Sequence, residues 1–273
     1  MDSNSLYYSL ELVAGSGHIL NLEQRAALQT SLVLLKKKNK FHRILFWGKI
    51  LGIKRDYFIA QGRGEHEMKD KMNLYSFNCM DWFLLPPATD SMIEEVSKVA
   101  KGRFVGDPTF MYEHQEIHMQ GKGNEAAKEE EVVSVITVTE EKRLVVAVHQ
   151  IDEEVSVVPR GAFVMSPRGL FQLNRSFGGL SEAEARKLDN FLHFRQPKNM
   201  KKKSVLDMDY LDTLDDDIPK GSWSLQFEFA GKVCVLRSLL WLGLTFYHVP
   251  MTPQHGYIYI GHGTKNLDLP FMI

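Results

Sequence analysis

The chain has 273 residues, of which 44% are hydrophobic and 25% are charged, a composition typical of a globular protein with a buried core. Its formal net charge is −1, so no global field is available to hold nucleic acid or an anionic membrane. The two cysteines, Cys79 and Cys234, are far apart in sequence, which argues against a disulfide framework or a cysteine-based zinc site and favours a reducing compartment.

The first residues, MDSNSLYYSLELVAGSG, have no basic region ahead of their apolar residues and do not resemble a secretory signal. No apolar run approaches the roughly 20 residues that a membrane span needs. We therefore expect a soluble, intracellular protein that contacts neither nucleic acid nor membrane.

Two helices are predicted at the start of the chain, the first over residues 6–14. Asn21 and Gln24 form the pattern of a capping box at the start of the second helix. Three leucines then fall on one face of that helix: Leu28, Leu32 and Leu35. Residues 44–51 and 56–61 follow as a predicted hairpin around Gly52.

The middle of the chain is predicted to mix strands with short helices. Residues 74–80 are a third strand candidate, and a short helix is expected from Thr89 or Asp90 through Lys98. Residues 132–138 and 144–150 are rich in β-branched side chains and predict a strand pair around a turn at 140–142. A capping box at 181–184 predicts a helix that ends near His193.

The last third of the chain is predicted to be rich in strands. Residues 223–229 alternate apolar and polar side chains, residues 233–236 have the pattern of a central strand, and residues 257–260 form the last strand. The fold class is therefore α+β, with N-terminal helices, a mostly antiparallel sheet body and a β-rich C-terminal segment.

A single domain spanning 1–273 is predicted, with four parts. They are a helical part over 1–38, an α+β body over 41–195, an exposed charged connector over 196–217 and a β-rich part over 218–273. Residues 121–131 add a polar, flexible insert within the body.

No motif in the sequence marks a catalytic, cofactor or metal site. His114 and His118 lack the glutamate of the zincin motif, and the spaced histidines His248, His255 and His262 flank prolines and a glycine. The Gly261-His262-Gly263 turn lacks the further glycine and the helix of a nucleotide fingerprint. Basic runs at 36–40 and 198–203 could contact nucleic acid or acidic tubulin tails, but solvated segments are favoured.

Aromatic residues suggest a binding surface, since tryptophan and tyrosine dominate protein interfaces. Trp241 lies in the apolar run Leu-Leu-Trp-Leu-Gly between two predicted strands and is expected to be partly exposed, although packing inside the domain is the open alternative. The candidate interface residues are Trp47, Tyr57, Trp223, Leu239, Leu240, Trp241, Tyr247, Tyr257 and Tyr259.

Several collinear blocks carry a resemblance to a known family. They are FWGKILGIKRDYFIAQG (46–62), KGRF (101–104), SPRGLFQ (166–172), LRSLLW (236–241) and YIYIGHG (257–263). In these blocks the chain resembles the radial spoke head proteins of motile cilia and flagella, and the resemblance covers essentially the whole chain. Leu242 departs from the pattern, because the family usually has proline after this tryptophan.

The resemblance implies a non-catalytic structural subunit of the radial spoke head in the axoneme, with no cofactor. The partners that it implies are the larger head proteins of the four and six type, the MORN-repeat head protein, the spoke stalk proteins and, indirectly, the central-pair projections. It implies that the subunit links central-pair contact to dynein regulation. Two alternatives stay open: a general cytosolic adaptor, and an enzyme with an unrecognised site.

Overall fold

The computed structural model describes residues 1–17, 20–119, 131–198 and 210–271. Its α-helices are α1 (Leu6–Leu12), α2 (Leu22–Asn39), α3 (Asp90–Val99), α4 (Glu140–Val155) and α5 (Glu182–Ala185). Short 3₁₀ turns lie at Ala14–Ser16, Leu188–Asn190, Leu214–Asp216 and Leu269–Phe271.

The strands of the described residues divide into one large sheet and three two-stranded sheets. The N-terminal half holds β1 (Arg43–Ile50), β2 (Tyr57–Arg63), β3 (Lys71–Ser76), β4 (Phe83–Leu84), β5 (Met111–Met119) and β6 (Glu131–Thr139). The rest are β7 (Val157–Pro159), β8 (Phe163–Met165), β9 (Phe171–Leu173), β10 (Phe191–His193), β11 (Trp223–Glu228), β12 (Val233–Ser238), β13 (Leu244–His248) and β14 (His255–Gly261).

The large sheet has eight strands in the order β11-β12-β13-β14-β1-β2-β3-β4. Strand β14 pairs with β1 in parallel, and the other neighbours in the sheet are antiparallel. The predicted α+β class with a mostly antiparallel sheet is therefore confirmed, and the first and last parts of the chain share one sheet.

Both faces of this sheet are covered, so all of β2 is buried. Along β2, Phe58 and Ala60 pack with the core of α1 and α2, whereas Tyr57 and Ile59 pack with the core of α4. This is the alternation that a pleated strand imposes on successive side chains. The sheet thus separates two apolar clusters, which we call the α1/α2 face and the α4 face.

A bulge in β1 changes which face its side chains meet. Phe46 packs on the α1/α2 face, but Ile50, an even number of residues later, packs on the α4 face. The pairing with β2 shifts between Phe46 and Gly48, and the extra residue reverses the alternation. Gly48 has φ of 150°, and a Cβ there would lie 2.0 Å from the carbonyl oxygen of Tyr259. Only glycine fits at this position, where β1 lies directly beside β14 in the sheet.

Several local predictions are confirmed. Asn21 and Gln24 form both hydrogen bonds of the capping box on α2, and Leu28, Leu32 and Leu35 are buried. The β1–β2 hairpin, the α3 helix capped by Thr89, the interior strand β12 and the last strand β14 are also present.

The predicted strand over 144–150 is wrong, because these residues lie inside α4. The Thr139 hydroxyl accepts a hydrogen bond from the Lys142 N–H, and Glu140 and Glu141 occupy the first turn, which favours a helix. The helix tolerates its β-branched valines because it is buried on most of its circumference, and their burial outweighs their weak helix propensity. Strand β6 pairs with β5 instead.

The predicted helix from the capping box to His193 is also too long. Ser181 and Glu184 do form the box, but α5 ends at Ala185, and a 3₁₀ turn and β10 follow it. The third strand ends at Ser76 instead of continuing to 80, because the chain turns through Cys79 with φ of 62°. Strand β13 was not predicted.

Most of the predicted insert (120–130) and much of the predicted connector (199–209) lie outside the described residues. The last residues of the connector pack on the body. Leu211 and Leu214 are buried, and Asp212 accepts a hydrogen bond from Arg195 at 3.0 Å.

Candidate protein interface

The nine candidate interface residues do not lie on one surface. Leu239 and Leu240 are half-buried. The other seven are at most 8% exposed and belong to the two cores: Trp47, Tyr57, Trp223, Trp241, Tyr247, Tyr257 and Tyr259. The expected partial exposure of Trp241 is not found, since its side chain is 2% exposed.

Trp241 instead anchors the loop between β12 and β13. Its indole Nε1–H donates to Glu154 Oε2 on α4 at 2.8 Å, and Lys265 Nζ donates to Glu154 Oε1 at 2.7 Å. The backbone N–H of Trp241 donates to Ser238 Oγ at 3.2 Å. A buried indole that also satisfies its N–H holds a loop in one conformation.

The loop that Trp241 anchors presents leucines to solvent. Leu242 is 57% exposed and Leu267 is 75% exposed. Leu267 lies beside the loop, because the neighbouring Asn266 donates through Nδ2 to the Leu239 carbonyl at 3.0 Å and through its backbone N–H to the Leu240 carbonyl at 2.8 Å. We call Leu239, Leu240, Leu242 and Leu267 the leucine ridge. Exposed apolar side chains on a fixed loop are typical of a protein contact.

Trp223 has a similar polar anchor at the edge strand β11. Its indole donates to Asp217 Oδ2 at 2.8 Å, and His193 Nε2 lies 2.9 Å from Asp217 Oδ1. Burial alone would raise the pKa of Asp217, but the hydrogen bonds from His193 and Trp223 bring it below its ordinary value. The carboxylate therefore holds the segment before β11 against the body.

Tyr57 belongs to a buried network around Glu140. The Glu140 carboxylate accepts hydrogen bonds from the hydroxyls of Tyr57 and Tyr112 and from the backbone N–H groups of Val105, Gly106 and Asp107. Burial opposes ionisation, but these donors together lower the pKa of Glu140, while burial and Glu140 raise that of Tyr57. The network ties β2 and the loop before β5 to α4.

Tyr257 belongs to a second network, around Asp152. The Tyr257 hydroxyl donates to Asp152 Oδ1 at 2.7 Å, and Lys71 Nζ forms an ion pair with Asp152 Oδ2. Burial opposes ionisation of Asp152 as well, but Lys71 and Arg63 lower its pKa. These contacts join β3 and β14 to α4 across the sheet.

The sequence of the chain has relatives that match it from end to end. The family model described as radial spokehead-like protein matches residues 3–161. The radial spoke head protein 9 homologs of Danio rerio, Bos taurus and Homo sapiens are 61%, 51% and 49% identical, with 100% of each chain covered. The chain belongs to the radial spokehead-like protein family. This is a family of structural proteins of the radial spoke head, not of enzymes.

Spoke head proteins act in the axoneme of motile cilia and associate with other radial spoke components. In the part of this family member that the structure describes, no helix is long and apolar enough to span a membrane. Nor do the described residues contain a group of three or more histidine, cysteine or carboxylate side chains that could hold a metal ion.

The spaced histidines of this spoke head protein have structural surroundings. His248 and His255 face each other across β13 and β14, and His262 is exposed. The Leu180 backbone N–H donates to His248 Nε2 at 3.1 Å, and His248 Nδ1 contacts the Gln254 carbonyl at 3.0 Å, as in a neutral imidazole. Burial lowers the pKa of both His248 and His255, that of His255 to about 4. His114 lies on β5, and the side chain of His118 is outside the described residues.

A cleft of about 680 Å³ is lined by His149, Asp152 and Glu153 of α4 and by Lys71 of β3. It is the kind of place where an unrecognised reaction site would lie. Its central carboxylate, Asp152, is already engaged by Lys71 and Tyr257, so the geometry assigns this carboxylate to holding α4 on the sheet.

Sequence reasoning missed Leu242 and Leu267. Leu242 ends an apolar run beyond the alternation of a strand, where sequence alone does not show which leucines face the core and which face solvent. The one available signal was Leu242 itself, an apolar residue in place of the usual proline of the family.

Proposed function

We propose that this spoke head subunit passes mechanical signals from the central-pair projections toward the dynein arms, and that the leucine ridge is its contact with a neighbouring subunit. The observation that carries the proposal is the combination of exposed leucines with a loop held by Trp241, Glu154 and Lys265. A part that transmits force needs apolar contacts on a rigid support.

The proposed partners are the larger head proteins of the four and six type, the MORN-repeat head protein and the stalk proteins. Of the nine candidate residues, we propose Leu239 and Leu240 as contacts, together with Leu242 and Leu267. Of the seven buried residues, Trp241 supports this surface from within. We also propose that residues 1–273 act as one unit, since strands from both ends of the chain join side by side in one sheet.

The test is capture of spoke components from detergent-extracted motile axonemes by the full chain. The affinity tag follows residue 273, because the Met1 amino group is buried and donates to the Phe46 and Tyr257 carbonyl oxygens. The probe variant is Leu242→Glu, which places a charge on the ridge without touching a core residue. The control is Val164→Glu at another exposed apolar site, where the side chain is 46% exposed.

We expect the unmodified chain and Val164→Glu to recover the larger head proteins, and Leu242→Glu to lose them. Equal recovery by Leu242→Glu would show that the ridge is not the contact. Recovery of unrelated proteins alone, while intact spoke complexes remain in the extract, would favour a general adaptor over a spoke subunit.

A further inference from the structure

The middle of the outer face of α2 lacks the charges that a solvent-facing helix normally carries. The inner face buries Leu28, Ser31, Leu32 and Leu35 against the sheet. The opposite face runs through Leu22, Ala26, Gln29, Val33 and Lys37, all exposed. No charged residue occurs in the ten residues 26–35, and Leu34 is 62% exposed beside this stripe. Apolar side chains on both faces of a helix are typical of a helix that is covered on both faces.

The two ends of the stripe carry opposite charges. Glu23 is exposed in the first turn of α2, next to Leu22, which is 71% exposed. Lys36, Lys37 and Lys38 lie in the last turn. At this basic end a groove of about 430 Å³ is lined by Lys36, Lys37, Lys40 and Val33, among others. An acidic side chain with an apolar neighbour has the chemistry to fill this basic groove. Glu23 and Leu22, at the other end of α2, are such a pair.

The neighbouring helix α1 enlarges the patch. Tyr7 and Tyr8 are 44% and 49% exposed, and the Arg25 guanidinium of α2 lies 5.9 Å from the centre of the Tyr7 ring. Tyrosine is enriched at protein interfaces. With these rings the surface extends beyond one helix, toward the area of about 1,000 Å² that a stable contact needs.

We propose that the outer face of α2 is an interface between two copies of this chain, packed antiparallel about a two-fold axis near Thr30. Thr30 is exposed and lies seven residues from both Glu23 and Lys37. An antiparallel pair centred there sets each Glu23 opposite the Lys37 of the other copy. The small side chains of Ala26 and Ala27 then meet Val33 and Leu34.

A second copy explains the pattern better than an unrelated partner would. In a two-fold contact one surface is its own complement, so every favourable pair occurs twice. The sequence of α2 has the required form, with an acid at one end, bases at the other and a neutral middle. The α2 face shares no residue with the leucine ridge, so the dimer and the spoke contact are separable.

The experiment is sedimentation velocity of the full chain across the micromolar range, with circular dichroism to verify folding. We expect a concentration-dependent dimer. Val33→Glu buries a charge in the contact and should weaken dimerisation by about tenfold or more. Lys37→Glu and Glu23→Lys should each weaken the dimer, and the double variant should restore it, because the pair is then reversed. Lys232→Glu, at an exposed lysine outside α2, is the control and should change nothing.

A chain that stays monomeric throughout this range would overturn the proposal. So would a dimer that Val33→Glu leaves intact, or single charge reversals without rescue in the double variant. Loss of spoke capture by Val33→Glu from a monomeric chain would assign the face to another spoke component and also overturn it. Leu242→Glu should leave the dimer unchanged, so a failure of the ridge proposal is recognisable separately.

Discussion

The two faces of the eight-stranded sheet are held by different interactions. On the α4 face, two buried carboxylates, Glu140 and Asp152, bind strands and loops to the helix through charged hydrogen bonds. Such bonds are directional and costly to leave unmade. The position of α4 over the sheet is therefore set by a few specific contacts.

On the α1/α2 face the core is almost entirely apolar, with Leu28 and Leu32 fully buried. Its buried hydrogen bonds join neutral groups, such as the Tyr247 hydroxyl, which donates to Ser9 Oγ at 2.6 Å, whereas its ion pair between Lys49 and Asp56 is partly exposed. Burial lowers the pKa of the Met1 amino group to about 5, so this group too is neutral near pH 7. Apolar packing stabilises these helices in proportion to the apolar area that they bury, and it is not directional.

The difference suggests a division of roles between the faces. A helix fixed by buried charges transmits displacement without sliding, and α4 also holds Glu154, the anchor of the leucine ridge. The helices α1 and α2 are packed on the sheet by apolar contact, and α2 keeps outside the face that we propose a second copy covers, with its uncharged middle and charged ends.

The largest effect is expected from breaking the charged face at Asp152. Asp152→Ala leaves Lys71 buried without its partner, and removing one member of a buried ion pair costs about 3–5 kcal/mol. The measurement is the free energy of unfolding from urea denaturation. Glu94→Ala is the control, since the Glu94 side chain is 71% exposed and its pair with Lys98 is worth at most about 0.5 kcal/mol. A loss at Asp152 as small as the control's would mean that the charges do not hold this face.

The two faces can be compared directly by making the same change, tyrosine to phenylalanine, once on each face. Tyr257→Phe removes a hydrogen bond to the Asp152 carboxylate, and Tyr247→Phe removes one to the Ser9 hydroxyl; both rings are buried. Hydrogen bonds to charged groups contribute about 1.5–3 kcal/mol and neutral ones about 0.5–1.5 kcal/mol. Tyr257→Phe should therefore destabilise the chain more. The measurement is the stability of each variant in thermal and urea unfolding. Equal losses of stability in the two variants would remove the distinction between the faces.

The sequence predicted what depends on local pattern. The capping residue Asn21 was predicted, Thr89 was one of two residues predicted to start α3, and the alternation of β11 was predicted up to Phe227, because all of these depend on neighbours a few positions away. The prediction was wrong for Phe229, which lies beyond β11 and is exposed. The strand prediction for residues 144–150 failed because their valines fit the pattern of a strand as well as that of a buried helix. What makes them a helix is burial from several sides, which only the folded sheet provides.

The candidate interface was less predictable for a related reason. Aromatic residues anchor interfaces and cores alike, and nothing near Trp241 in sequence shows that Glu154 on α4 will accept its indole N–H. The leucines that do reach solvent, Leu242 and Leu267, come from segments that meet only in the folded chain.

The smallest effect is expected from pH, and it should involve His255 on β14 and the Met1 amino group. Burial lowers the pKa of His255 to about 4, with His248, Arg43 and the Met1 amino group adding to the effect of burial. Between about pH 6.5 and 4 the unfolded chain binds a proton at this histidine and the folded chain does not. Stability therefore falls as the pH falls through this window, by roughly 1–2 kcal/mol after allowance for the partial exposure of the ring.

His255→Phe should flatten this fall without abolishing it, because the Met1 amino group acts in the same direction between about pH 8 and 5. The measurement is the free energy of unfolding from urea titrations at several pH values between 4 and 8. His262→Gln, at an exposed histidine, should keep the slope of the unmodified chain. If His255→Phe kept it as well, the pH response would belong to groups other than this histidine, with the Met1 amino group the first to test.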